Sequence, residues 1–392
     1  MVNEIAGKSK IEHFARSSGE ADVIVAVDKE RTVSALAAAS VLKRSRQSMK
    51  VFKGALIGCG FFSQHHREAW RRIPNVRIVA ACDLNLERAQ AAAERAYGSA
   101  EEMLDSEELD FVDIVTRSET HLELISAAAE RGLAITCQKP LAPDWETACR
   151  IAAVAETHHV RLMIHDNWRW QPWYRAARKI IARGDIGTPI GYGFRCRWND
   201  GAGNQPYPKQ SYFRSVHRLL IDETLVHHID TARFLFGDIS SIYAEARQVN
   251  PNIRGEDHAI LTLRHMNAVI GWIDGHSFLR FDDTGPSLDE ARFEGDSGSI
   301  RISNLGEIWS GHKKIWTDDF SKGYRGDSVY AALVNFVHCL ESGDPFESEA
   351  HEYLEKTFAV VEAAYASIES GRRVEPNEIV ATITKDAAQG RL

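Results

Sequence analysis

The chain has 392 residues, of which 44% are hydrophobic and 26% charged, and its net charge at pH 7 is −8. That length suggests about two or three domains of roughly 150 residues. An acidic balance without basic runs argues against nucleic acid or an anionic membrane as the main partner. The six cysteines are scattered without a C-x-x-C pair, and no apolar run approaches the roughly 20 residues that span a bilayer, so a cytoplasmic protein is expected.

Residues 1–48 lack the glycine turn of a phosphate-binding unit and are expected to be an extension without a catalytic role. From Val51 the pattern alternates. "VFKGALIG" predicts a strand, "FSQHHREAWRRI" a helix, "VRIVAACD" a strand and "LERAQAAAERAY" a helix. "LDFVDIVT", "LAITCQK" and "VRLMIHDN" continue as strands, with helical stretches between them. Such alternation predicts a parallel sheet with crossover helices, ending near Asn167. Beyond it, runs such as "IGYGFRCRW", "ISSIYAEARQV", "HAILTLRH" and "SGSIRISN" follow one another with few helices between. They predict a large, mainly antiparallel open sheet, and two helical stretches close the chain.

Within the first part, "ALIGCGFFS" sets Gly58-x-Gly60-x-x-Ser63 after a strand and before a helix. The first glycine permits the tight turn. The second lets backbone approach a pyrophosphate at the helix N-terminus, and the small third residue lets helix and strand pack closely. Phe61 and Phe62 lie in the same turn. Asp83 ends the next strand, 20 residues after Ser63, where a carboxylate accepts from ribose hydroxyls and repels a 2′-phosphate. NAD is therefore the expected cofactor. The expected class is α/β: a Rossmann-type parallel sheet domain over 49–167, followed by an α+β domain over 168–392.

"IDETLVHHID" packs acids and histidines at helical spacing. Glu223, His227 and Asp230 share one helical stripe, Asp222 falls among apolar residues, and His228 points elsewhere. Glu223 is placed to orient the His227 imidazole. No third ligand has clear spacing, so no metal is expected. Trp168, Trp198, Asn199, Tyr212, Arg214 and His217 are candidates for a sugar-binding surface, and "GNQPYPKQSYFR" is expected as a loop over the cleft.

The Lys139-Pro140 pair ends a strand just before a helix, inside a dinucleotide domain. With "HLELISAAAERG", "NWRWQPWYR", "ETLVHHIDTARFLFG" and "NFVHCLESGDPF", it resembles the Gfo/Idh/MocA oxidoreductases. The family pattern is usually Glu-Lys-Pro, and here Gln138 precedes the lysine. The resemblance implies an NAD-dependent oxidoreductase acting on a sugar or polyol, a free aldose among them. Lys139 and His227 would handle the proton, with Glu223 beside them. Thr116, His121 and Gln138 would lie at the cofactor, and Asn167, Trp168 and Arg169 at the substrate. It also implies a homo-oligomer assembled through the second sheet. An NAD-retaining glycoside hydrolase and a non-enzymatic dinucleotide sensor are the alternatives.

Overall fold

The computed structural model describes residues 50–278 and 287–381, and the described residues from Val51 onward form one compact unit. The extension expected over 1–48 lies outside the described residues.

Six parallel strands make the first sheet: β1 Phe52–Ile57, β2 Val76–Cys82, β3 Arg95–Tyr97, β4 Phe111–Ile114, β5 Ala134–Gln138 and β6 Leu162–His165. Their order is β3-β2-β1-β4-β5-β6. The order reverses between β1 and β4, where a crevice opens beyond the strand ends. Helices α1 (Ser63–Trp70), α2 (Leu86–Ala92), α3 (Ala100–Ser106), α4 (His121–Ala129) and α5 (Trp145–Thr157) cross between the strands. "LERAQAAAERAY" does not stay helical: α2 stops at Ala92 and Arg95–Tyr97 becomes the edge strand β3. Its alanine-rich stretch favours helix, but pairing of Ala80–Cys82 with Arg95–Tyr97 overrides that preference.

A helix α6 (Pro172–Ala182), with proline in its first turn, leads into the second sheet. Its eight strands are β7 Pro189–Trp198, β8 Ile239–Arg247, β9 His258–His265, β10 Ile270–His276, β11 Ser287–Gly295, β12 Ser299–Ile302, β13 Ile308–Ser310 and β14 Lys313–Trp316. All neighbours are antiparallel except β7 and β10, which run parallel. One face packs on α7 (Val226–Phe236) and α9 (Ala359–Ser370), and the other leaves Ile190, Ile260, Ile270 and Trp272 exposed. The "IDETLVHHID" segment starts as a single π-helical turn, Ile221–Leu225, and continues as α7. A π turn of this kind recurs at functional sites. Between α6 and the end of the chain, α8 (Ser328–Ser342) packs against α1.

Candidate active site

Beyond the carboxyl ends of β1, β4 and β5 lies a cleft of about 1910 Å³, walled on its far side by the π turn, the end of β7 and the following loop. The glycine turn forms its floor. Gly58 has φ +91°, and a Cβ there would stand 2.6 Å from the Val115 carbonyl oxygen, so only glycine fits. A Cβ on Gly60 would meet nothing within 4 Å: the space above it is open. Helix α1 starts with no side-chain cap and no acid in its first turn. Its free N–H groups and positive dipole end therefore face the cleft unneutralised. Asp83 closes the turn, accepting from the Cys59 N–H (2.7 Å) and the Asn85 N–H (2.8 Å). An ionised carboxylate has about four acceptor positions, so Asp83 keeps capacity for ligand hydroxyls.

Two side-chain pairs join the ends of β5 and β6 to the histidine segment at the cleft. The Lys139 Nζ, at the end of β5, donates to Glu223 Oε2 (2.8 Å) and to the Glu223 carbonyl (2.6 Å). The ammonium has three N–H donors, which leaves one for a ligand. His227 Nδ1 lies 2.6 Å from Asp166 Oδ1. Burial works to raise the Asp166 carboxyl, but His227, the Trp168 N–H and Arg169 outweigh it and hold it down at about 2. Burial likewise pushes the His227 imidazole down, against the pull of Asp166. A neutral imidazole beside an ionised carboxylate carries its proton on Nδ1, and Nε2 keeps a lone pair. The ring is fixed further by stacking on Trp168, with centroids 4.5 Å apart and planes at 10°. Asp166 also accepts from the Tyr353 hydroxyl (3.2 Å).

Two family models match parts of the chain: the oxidoreductase family with an NAD-binding Rossmann fold matches residues 52–165, and the GFO/IDH/MocA C-terminal domain matches residues 174–301. A D-apiose dehydrogenase of Paraburkholderia graminis is 35% identical, over 88% of this chain and 94% of that protein. One of Rhizobium rhizogenes is 32% identical, over 84% and 98%. The chain belongs to the Gfo/Idh/MocA oxidoreductase family. Among solved structures, an oxidoreductase from Agrobacterium radiobacter, in complex with NAD+, L-tartaric acid and magnesium, superposes with a TM-score of 0.77. It is 31% identical and covers 84% of this chain and 100% of its own. NAD is the cofactor of this Gfo/Idh/MocA chain. The open cradle over Gly60, the uncapped helix end and Asp83 fit its pyrophosphate and ribose.

The expected site residues fall into two groups. Gly58, Gly60, Phe61, Phe62, Asp83, Thr116, Gln138 and Lys139 line the cleft, as do Asn167, Trp168, Glu223 and His227. Two expected residues do not. His121 is fully buried, its ring nitrogens 3.1 Å and 3.3 Å from the carbonyls of Leu141 and Thr116. It ties two loops together instead of facing a ligand. Arg169 is also buried, bound two-pronged to Asp230 (2.7 and 2.5 Å) and donating to the Glu347 carbonyl. A bidentate pair of this geometry spends the guanidinium on the fold.

Glu223 does not orient His227. Glu223, His227 and Asp230 do form one row, but each pairs with a residue at or just beyond the ends of β5 and β6: Lys139, Asp166 and Arg169 respectively. Asp166 is the candidate site residue that local spacing did not reveal. It stood in plain view in "HDNWRW" at the end of β6, facing the histidine helix only after folding. Trp198, Asn199 and Tyr212 line the cleft, whereas Arg214 and His217 do not. Asp200, Tyr207 and Lys209 of the covering loop join them. His228 bonds Asp289 (3.1 Å), away from the cleft.

Gln138 has a physical reason. Trp70 Nε1 and His66 Nδ1 both donate to Asp113 (2.6 and 2.8 Å). The second nitrogen of His66 is then an acceptor, and the Gln138 amide donates to it (2.8 Å) and to His165 Nδ1 (3.0 Å). An amide has two N–H donors for two acceptors, and a carboxylate has none.

Proposed function

We propose that this chain oxidises a hydroxyl or the anomeric carbon of a sugar or polyol with NAD, a free aldose such as D-apiose being converted to its lactone. The observation that carries the reading is the convergence of a neutral His227 and an ion-paired Lys139 on one cleft with the glycine turn. The names of the two relatives that span most of the chain support the aldose. Bound NAD+ supplies the hydride acceptor. The remaining N–H of Lys139 donates to the reacting oxygen, and the lone pair of His227 Nε2 takes its hydroxyl proton. The proton becomes imidazolium beside the Asp166 carboxylate, which stabilises it through the Nδ1–H bond. Trp168 and Trp198 wall the same end of the cleft with aromatic surface suited to a sugar ring. The exposed apolar face of the second sheet supports assembly of copies through it.

The test is a panel of free aldoses and polyols with excess NAD, read by the absorbance of reduced nicotinamide. Accumulation with an aldose is the expected result. Glycoside cleavage without accumulation would convert the reading to an NAD-retaining hydrolase. Tight NAD binding with neither reaction would leave a dinucleotide sensor.

A further inference from the structure

The glycine turn answers a pyrophosphate with N–H groups alone, because Gly58 to Gln64 contains no charged residue. A diphosphate carries full charges, and a helix end supplies only about half of one. A candidate cation stands on the loop that covers this turn. The loop after β7 is pinned at its base: the Gly201 N–H donates to the Ser277 carbonyl (2.8 Å), and the Tyr207 hydroxyl to Ser277 Oγ (2.7 Å). Asn250 Nδ2 donates to the carbonyls of Gly201 (2.7 Å) and Gly203 (2.9 Å). Pro206 and Pro208 stiffen the tip between these anchors and the turn Ser211–Arg214. At that tip Lys209 reaches back over the cleft, its Nζ 5.3 Å from the centroid of the Phe61 ring, in the glycine turn itself. Lys209 forms no ion pair among the described residues, in contrast to Lys139, whose charge is taken by Glu223.

We propose that Lys209 is a cofactor-binding residue that places its ammonium on the NAD pyrophosphate, using the Phe61 ring as its rest position. This contact involves the cofactor alone and is independent of which sugar is oxidised. Its consequence is that the cofactor draws down the loop whose other residues, Asn199, Asp200 and Tyr212, wall the rest of the cleft.

The experiment measures the dissociation constants of NAD and of ADP-ribose, which keeps the pyrophosphate and lacks nicotinamide, by calorimetry at low and high salt. Lys209→Met should weaken both ligands roughly fivefold at low salt. The gap should shrink at high salt, where the charge is screened. Lys209→Arg should stay within about twofold of the wild type, because it retains the charge. Equal binding of ADP-ribose by Lys209→Met and wild type at low salt would overturn the proposal. So would equal weakening by Met and Arg, which would assign the residue to packing on Phe61. Lys209 is exposed, so neither substitution threatens the fold.

Discussion

On the proposed reading, the His227–Asp166 and Lys139–Glu223 pairs divide the proton chemistry between an acceptor and a donor. Removing a positioned acid–base group costs about 10²–10⁴-fold in rate. His227→Ala and Lys139→Ala should each lose turnover in that range at saturating NAD, whereas His228→Ala should turn over almost normally in the protein that remains folded. Glu223→Gln frees the Lys139 ammonium from its carboxylate, and Asp166→Asn removes the charge that stabilises imidazolium. The pH profile separates these roles. As the proposed base, His227 would work only when neutral, and burial holds its pKa below the ordinary 6.5. The acid limb of kcat/KM should therefore fall below pH 6.5. Asp166 raises the His227 pKa, so Asp166→Asn should move that limb further toward acid. An unmoved limb in Asp166→Asn would detach His227 from the base role.

At the scale of elements, the glycine turn and the row on the histidine helix were legible in the sequence because both depend on local spacing. Gly58-x-Gly60 sits where one strand must turn straight into one helix. Gly58→Ala would force an L-residue into positive φ, at about 1–2 kcal/mol, and drive its Cβ against Val115 and Thr116. The expected outcome is loss of NAD binding in a soluble protein, read by calorimetry. Asp83→Ser should weaken NAD use and relax discrimination against NADP, since a neutral hydroxyl neither holds ribose as a carboxylate does nor repels a 2′-phosphate. The ratio of kcat/KM for the two cofactors measures it. Partners across the molecule were not legible. Asp166 and His227 are far apart in sequence, and nothing local to either says which acid the imidazole will meet. Helical spacing makes Glu223 a neighbour of His227 on a regular helix, but the π turn begins at Ile221 and Lys139 takes Glu223. His121 and Arg169 show the same limit. Their positions beside a strand end suggested a ligand, and only tertiary packing revealed that carbonyls and Asp230 had claimed them.

At the scale of the whole molecule, the Arg169–Asp230 pair is the part of the row given over to stability. Thr357 donates to Asp230 (3.2 Å), so the pair reaches the C-terminal helices as well. Arg169→Met leaves a buried carboxylate without its counter-ion, a loss of about 3–5 kcal/mol. Thermal denaturation should show a clear fall in Tm, and the variant should keep NAD binding at temperatures where it is folded, because Arg169 does not line the cleft.

The row of three pairs also restricts how the molecule can breathe. Lys139–Glu223, Asp166–His227 and Arg169–Asp230 join the ends of β5 and β6 and the segment after them to one continuous helical stretch. Swinging the two sheets apart as rigid bodies would part the Lys139–Glu223 and Asp166–His227 pairs at once and leave the Asp166 and Glu223 carboxylates without their partners, which is costly. The route for cofactor and sugar must then run through the loop that carries Lys209, with the sheets held in register throughout. Hydrogen exchange would register this as fast exchange confined to residues 202–211 in the free protein, slowed by NAD, over a seam that stays protected with or without it.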